Sequence, residues 1–213
     1  MKAVIFDMDG VVSDTQKYQA ETESKLLSKY GINISPDEIT AKYAGVSDRE
    51  WFKEMFARAG QPVDIKKIVE EKRKMVFEIA AGHIQPIEGS LTLIKKLKEN
   101  GFPLAVASAS TKSFINLVMK ELKLENIFDV LVSATEVVKG KPAPDIFLLA
   151  AEKLGVKPEN CVAIEDGIKG MEAAKNAGMR CIGLVKNKND HFPADILVNS
   201  LTEVKIDFFN NIK

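Results

Sequence analysis

Short, continuously apolar runs alternate along this chain with stretches in which apolar residues recur every three or four positions. Ala3-Val4-Ile5-Phe6 leads into Asp7, Leu104-Ala105-Val106-Ala107 into Ser108, and Cys161-Val162-Ala163-Ile164 into Glu165-Asp166. Val130-Leu131-Val132 and Cys181-Ile182-Gly183-Leu184-Val185 have the same shape, and Ile196-Leu197-Val198 reads as an edge strand. Runs this short and this apolar predict strands buried on both faces. Between them, helical periodicity covers Leu91 to Glu99, Phe114 to Leu122, Asp145 to Leu154 and Ile168 to Ala177. Gly101, Gly155 and Gly178 fall where such helices should end. Strands alternating with helices predict an α/β fold, a doubly wound parallel sheet covered on both faces.

Residues 16 to 83 break the rhythm. Thr22 to Tyr30, Arg49 to Ala59 and Ile65 to Ala80 have helical periodicity with no convincing strand between them. The expected organisation is therefore an α/β core of residues 1–15 and 84–213 with a helical cap, 16–83, inserted after the first strand. Ligands of such sheets bind at the carboxyl ends of the strands. The insert leaves from one of those ends, so it should lie over the site. Trp51, Phe52, Met55 and Phe56 read as the insert's own core rather than a ligand pocket.

Composition narrows the partners. Lys and Arg number 30 and Asp and Glu 30, so no net charge draws the chain to nucleic acid or to an anionic membrane. No run approaches the ~18 apolar residues of a spanning helix, and the first ten residues lack a signal peptide's apolar stretch. Cys161 and Cys181 sit in apolar runs, read as buried free thiols rather than a disulfide, and have no metal-ligand spacing. A cytoplasmic monomer or weak homo-oligomer is expected.

Four polar clusters follow apolar runs. In Asp7-Met8-Asp9-Gly10 two acids stand at i and i+2 just past a buried strand. That is either an acidic turn or a nucleophile and its acid/base partner, with Gly10 allowing a tight backbone turn. Ser108-Ala109-Ser110 offers a hydroxyl and free backbone N–H groups, for a phosphate oxygen or simply for a helix N-cap. In Lys139-Gly140-Lys141-Pro142-Ala143-Pro144-Asp145 the prolines fix the backbone, so Lys141 is either a held charge on phosphate or an exposed lysine. Asp145 reads as a helix N-cap. Glu165-Asp166-Gly167 suits a hard cation with oxygen ligands. Together the clusters supply a nucleophile, an acid, a hydroxyl, a cation and a metal site at one edge of one sheet.

In that combination the chain resembles the haloacid dehalogenase-like superfamily with a helical cap after the first strand. The resemblance rests on Asp7-Met8-Asp9-Gly10-Val11, Ser108, Lys141 in Gly140-Lys141-Pro142-Ala143-Pro144-Asp145, and Glu165-Asp166-Gly167. Phe6 to Thr15, Gly45-Val46-Ser47 and Ala107-Ser108-Ala109-Ser110 look most like the β-phosphoglucomutase-like members. The resemblance implies a Rossmann-like core and a Mg2+ cofactor. It implies Asp7 as nucleophile, Asp9 as general acid/base, and Ser108, Ala109 and Lys141 on the phosphoryl group. Its metal ligands would be Asp7, the backbone carbonyl of Asp9, Glu165 and Asp166. A small phosphorylated metabolite would be the partner.

The chain departs from the β-phosphoglucomutase pattern in two places. Gln19 stands where those proteins carry a cap His, and Asp48 follows Ser47 where they have an Arg, with Arg49 one position later. His83 and His191 match neither position and read as structural. A phosphatase acting on a sugar phosphate or similar compound is therefore the leading expectation, with a sugar-phosphate mutase as the alternative. A haloacid dehalogenase has no use for Asp9, and a receiver module that is merely phosphorylated has no helical insert of this size.

Overall fold

The computed structural model describes residues 2–43 and 46–210. Six strands form one sheet: β1 (Ala3–Phe6), β2 (Leu104–Ser108), β3 (Val130–Ser133), β4 (Cys161–Glu165), β5 (Arg180–Leu184) and β6 (Ile196–Val198). Every neighbouring pair is parallel and the order is β3-β2-β1-β4-β5-β6. The period of two sorts side chains onto two faces. Val4, Phe6, Val106, Ile164 and Ile182 face one apolar cluster, and Ala3, Ile5, Ala105, Ala163 and Cys181 face the other. Cys161 and Cys181 are buried and free, as the apolar runs predicted.

After β1 the chain makes four helices: α1 (Gln16–Ser28), α2 (Pro36–Tyr43), α3 (Asp48–Arg58) and α4 (Ile65–Ala80). They share their own cluster, in which Leu26, Leu27, Ile39, Trp51, Phe52, Phe56 and Ile68 are buried. Trp51, Phe52 and Phe56 thus pack within the insert, as expected, and Met55 packs against them. Two features differ from the sequence expectation. α1 begins at Gln16 rather than Thr22, because its first turns carry polar residues that are buried, Gln19 among them. α2 was not anticipated: it is short and buries only Ile39, and its start is marked by the Ser35 hydroxyl accepting the Glu38 N–H.

The remaining helices are α5 (Ser90–Glu99), α6 (Lys112–Glu121), α7 (Asp145–Leu154), α8 (Ile168–Asn176) and α9 (Ile206–Asn210). Asp145 is not the cap of α7. Pro144 occupies that position and Asp145 is the first helical residue, where a carboxylate still favours the positive end of the helix. Among the described residues no helix is long and apolar enough to cross a membrane.

Candidate active site

The strand order reverses direction at β1 and β4, and this is where a crevice opens at the carboxyl ends of a doubly wound sheet. Phe6 pairs with Val106 on one side and Ile164 on the other. One residue further along, β1 delivers Asp7 and β4 delivers Glu165 to the same level. The Asp7 N–H donates to the Ile164 carbonyl at 2.9 Å, which ties the first residue past β1 to β4. The chain then turns back on itself. The Met8 carbonyl accepts from the N–H groups of Val12 and Ser13, and Gly10 adopts φ +93°.

Lys141 is not an exposed lysine. It is 2% exposed, and its ammonium donates to Asp7 Oδ1 and Glu165 Oε1, each at 2.5 Å, and to the Ala107 carbonyl at 3.3 Å. All three donors of the ammonium are thereby used. Glu165 Oε2 accepts the Gly167 N–H at 2.9 Å, so both of its oxygens hold partners. The loop from β3 therefore brings one cation between the ends of β1, β2 and β4.

Asp9 points to the other side. Its Oδ1 accepts from Thr15 Oγ1 at 2.6 Å and Gln19 Nε2 at 3.3 Å. Its Oδ2 accepts from Ser108 Oγ at 3.1 Å and Ser110 Oγ at 3.0 Å. Ser108 and Ser110 are free to do this because Thr111, not either serine, caps α6 by accepting the Phe114 N–H. Ser108 is fully buried under Asp9, while Ala109 and Ser110 line the open cleft. The sequence does not single out Thr15; it points to Ser110 beside Ser108 and to Gln19 at the cap-His position but does not place either on Asp9. Their signal was position: Ser110 two residues beyond Ser108, and Gln19 one turn into the first helix after Asp9.

The cleft is open, with about 450 Å3 of space between its walls when the mouth is included. Asp7, Asp9, Ala109 and Ser110 form its floor. Gln16, Gln19 and Glu23 of α1, Tyr43 of α2, Asp48 of α3 and Lys72 of α4 line its other side. Val46 also lines it, whereas Gly45 of the Gly45-Val46-Ser47 segment lies outside the described residues. His83 and His191 are exposed and do not line the cleft.

The donor set at the strand ends suits a hard divalent cation. Burial, with Glu165 and Asp9 adding to it against the opposing pull of Lys141, pushes the Asp7 carboxyl up to about 8. Burial, Glu165 and Asp7 likewise push Asp166 well above the carboxylate range. Among the described residues one cation, Lys141, is ion-paired within this group of three acids, to Asp7 and Glu165. A divalent cation removes the surplus. Among the described residues no three His, Cys, Asp or Glu side chains already converge on one point as a finished metal cluster. Lys141 draws Asp7 and Glu165 toward itself instead.

Comparison with known proteins follows the same lines. The family model described as haloacid dehalogenase-like hydrolase matches residues 4–184. A phosphorylated carbohydrates phosphatase of Thermotoga maritima is 35% identical over 194 residues, covering 89% of this chain and 88% of its own length. Hexitol phosphatase B of Escherichia coli is 30% identical over 212 residues, covering 95% of this chain and 93% of its own. Among solved structures, a β-phosphoglucomutase from Clostridium difficile superimposes with a TM-score of 0.87 at 29% identity, covering 99% of this chain and 96% of that one.

Proposed function

The chain belongs to the haloacid dehalogenase-like hydrolase family, and on that premise we propose that it is a magnesium-dependent phosphatase of small phosphorylated carbohydrates. The observation that carries the reading is that Asp7 and Asp9 open onto one cleft while a buried lysine grips Asp7 from behind. Each residue then has a task. An Asp7 oxygen attacks phosphorus as the bond to the leaving oxygen breaks, forming an aspartyl-phosphate. Asp9 gives its proton to that leaving oxygen, and the alcohol departs. Asp9 next takes a proton from water as the water oxygen attacks phosphorus. The acyl phosphate bond breaks, inorganic phosphate leaves and the Asp7 carboxylate is restored.

Lys141 and the backbone N–H groups around Ala109 would bear on the phosphoryl oxygens. Ser108 and Ser110 position Asp9. Asp7, the Asp9 carbonyl and Asp166 would hold Mg2+, with Glu165 joining only by sharing oxygens already bonded to Lys141 and Gly167. When bound, the ion supplies positive charge against the phosphoryl oxygens and the Asp7 carboxylate. Residues 16–83 would act as a cap that closes over the core of 1–15 and 84–213 and excludes bulk water.

The likeness to a β-phosphoglucomutase supports a second reading, a sugar-phosphate mutase. Gln19 favours the phosphatase. Its amide donates to Asp9 from the first helix of the insert, but it cannot titrate and so cannot couple the proton of Asp9 to substrate binding. Asp7→Asn tests the reading. Phosphate release should fall by about a thousandfold or more with unfolding behaviour preserved. A variant that keeps most of the wild-type rate would show that Asp7 is not the nucleophile.

A further inference from the structure

The side of the cleft opposite Asp7 and Asp9 is built around a buried charge cluster. Lys72 of α4 is 4% exposed. Its ammonium lies 3.0 Å from Glu23 Oε1 of α1 and 2.5 Å from Asp48 Oδ1 of α3. All three residues line the cleft. Burial alone would pull Lys72 down, but Asp48 and Glu23 outweigh it and hold the ammonium charged. With both carboxylates ionised, two negative charges stand against one lining ammonium; burial pushes Glu23 up to about 7, so this surplus is complete only above that pH. Arg73 approaches Asp48 Oδ2 at 4.0 Å, but its side chain is 42% exposed and it is not part of the cleft lining. Its pairing with Asp48 is therefore the weak pairing of an exposed cation, made outside the cleft.

A second observation points the same way. Gln19 is 8% exposed and lines the cleft, and its Oε1 has no hydrogen-bond partner. Its amide orientation is fixed by Nε2, which donates to Asp9 and Ser110. A buried carbonyl left without a donor is costly until a ligand supplies one. The polar residues of α1 and α3 on this side are chiefly acceptors: the Glu23 and Asp48 carboxylates line the cleft, with the unpartnered Gln19 Oε1 buried beside them. Of the three donors on Lys72, two already point at carboxylates.

Resting on the phosphatase reading above, we propose that this acceptor-rich, negatively charged wall selects phosphate monoesters whose leaving group is an uncharged polyol. It would reject those that carry a second phosphate or a carboxylate. Hydroxyl groups donate to the three acceptors and satisfy Gln19. An anionic tail brings a like charge against Glu23 and Asp48, and among the described lining residues the one cation, Lys72, is already paired with both, a juxtaposition that is strongly unfavourable in a cleft with little water. The same wall weighs against mutase chemistry, in which the phosphoryl group passes from Asp7 to a monophosphate. The resulting bisphosphate would place its other phosphate on this wall.

The test compares three substrates on one carbon skeleton with magnesium in excess: a hexitol 6-phosphate, the matching aldonic acid 6-phosphate and the hexitol 1,6-bisphosphate. Acetyl phosphate, too short to reach the wall, reports the phosphoryl chemistry. The wild type should prefer the hexitol monophosphate by about 100-fold in kcat/KM, mostly through KM. Glu23→Gln and Asp48→Asn keep shape and remove charge. Each should narrow the hexitol-to-aldonate ratio by about tenfold, and the double variant should narrow it further. Ratios are taken within each variant, so a general loss of activity cancels. Turnover with a hexitol-to-aldonate ratio within about twofold of one, or a ratio unmoved in both variants, overturns the proposal and leaves the phosphatase reading intact. No turnover on any substrate, acetyl phosphate included, overturns the phosphatase reading and the proposal with it.

Discussion

Asp166 Oδ2 lies 2.1 Å from the point where a Cβ on Gly10 would stand. The glycine after the two acids therefore does more than turn the chain: its missing side chain is the space in which the Asp166 carboxylate sits. Gly10 also adopts φ +93°, which L side chains rarely accept. Gly10→Ala should displace Asp166 and strain the loop that carries Asp7 and Asp9. The expected result is a loss of activity of about 100-fold or more, with stability lowered by roughly 1–3 kcal/mol. Phosphate release and denaturant unfolding measure the two separately. An alanine variant of normal activity would show that the position of Asp166 is not needed.

Asp9 is held by four donors from Thr15, Gln19, Ser108 and Ser110. If it protonates the leaving oxygen, its value depends on how poor the leaving group is. Asp9→Ala should cost about 100-fold or more with alkyl phosphates and distinctly less with activated aryl phosphates, read in single-turnover phosphoryl transfer. An equal loss on both substrate types would remove Asp9 from the acid role.

Asp7, Glu165 and Asp166 together outnumber their one lysine. Chelation should abolish turnover and magnesium should restore it. Calcium in excess should inhibit, because it prefers more ligands at longer distances than magnesium and would misplace the Asp7 oxygen. Full turnover of metal-stripped protein in chelator would exclude the metal role.

Much of this site was legible in the sequence because three of its polar residues mark the ends of strands apolar enough to be recognised. Asp7, Ser108 and Glu165 all come one step past, or at the last residue of, such a run. The structure also explains a residue that the pattern alone left undecided. Taken alone Lys141 reads as an exposed lysine, and only the fold shows that it reaches Asp7 and Glu165, which lie 134 and 24 residues away. The opposite wall was less readable. Gln16, Gln19 and Glu23 are spaced three and four apart, so they share one face of α1, but polar residues at that spacing ordinarily face water. Lys72 falls in the buried stripe of Ile68, Val69 and Val76, a lysine among apolar positions that in hindsight marks a charge held inside. What makes these residues a unit is the packing of α1, α3 and α4, which no local pattern specifies.

That unit has a consequence for stability. Burial pushes the Glu23 carboxyl from an ordinary 4.5 up to about 7; Lys72 opposes the rise, and Asp48 and, more weakly, Asp9 add to it. These are the charged groups that face it, from α4, α3 and the loop after β1. Below about pH 4.5 Glu23 is protonated in both folded and unfolded chains and contributes nothing to pH dependence. Between the two values the folded chain keeps the proton that the unfolded chain has lost, so folding stability falls as pH rises. Above about pH 7 both forms are ionised and the full cost is present. Glu23→Gln removes that cost, so its stability relative to wild type should rise with pH across this window. In chelator, denaturant unfolding should show the difference growing by on the order of 2 kcal/mol between about pH 5 and about pH 8. A difference that stays flat over that range, or falls, would mean that burial and Asp48 do not hold a proton on Glu23 in the folded chain.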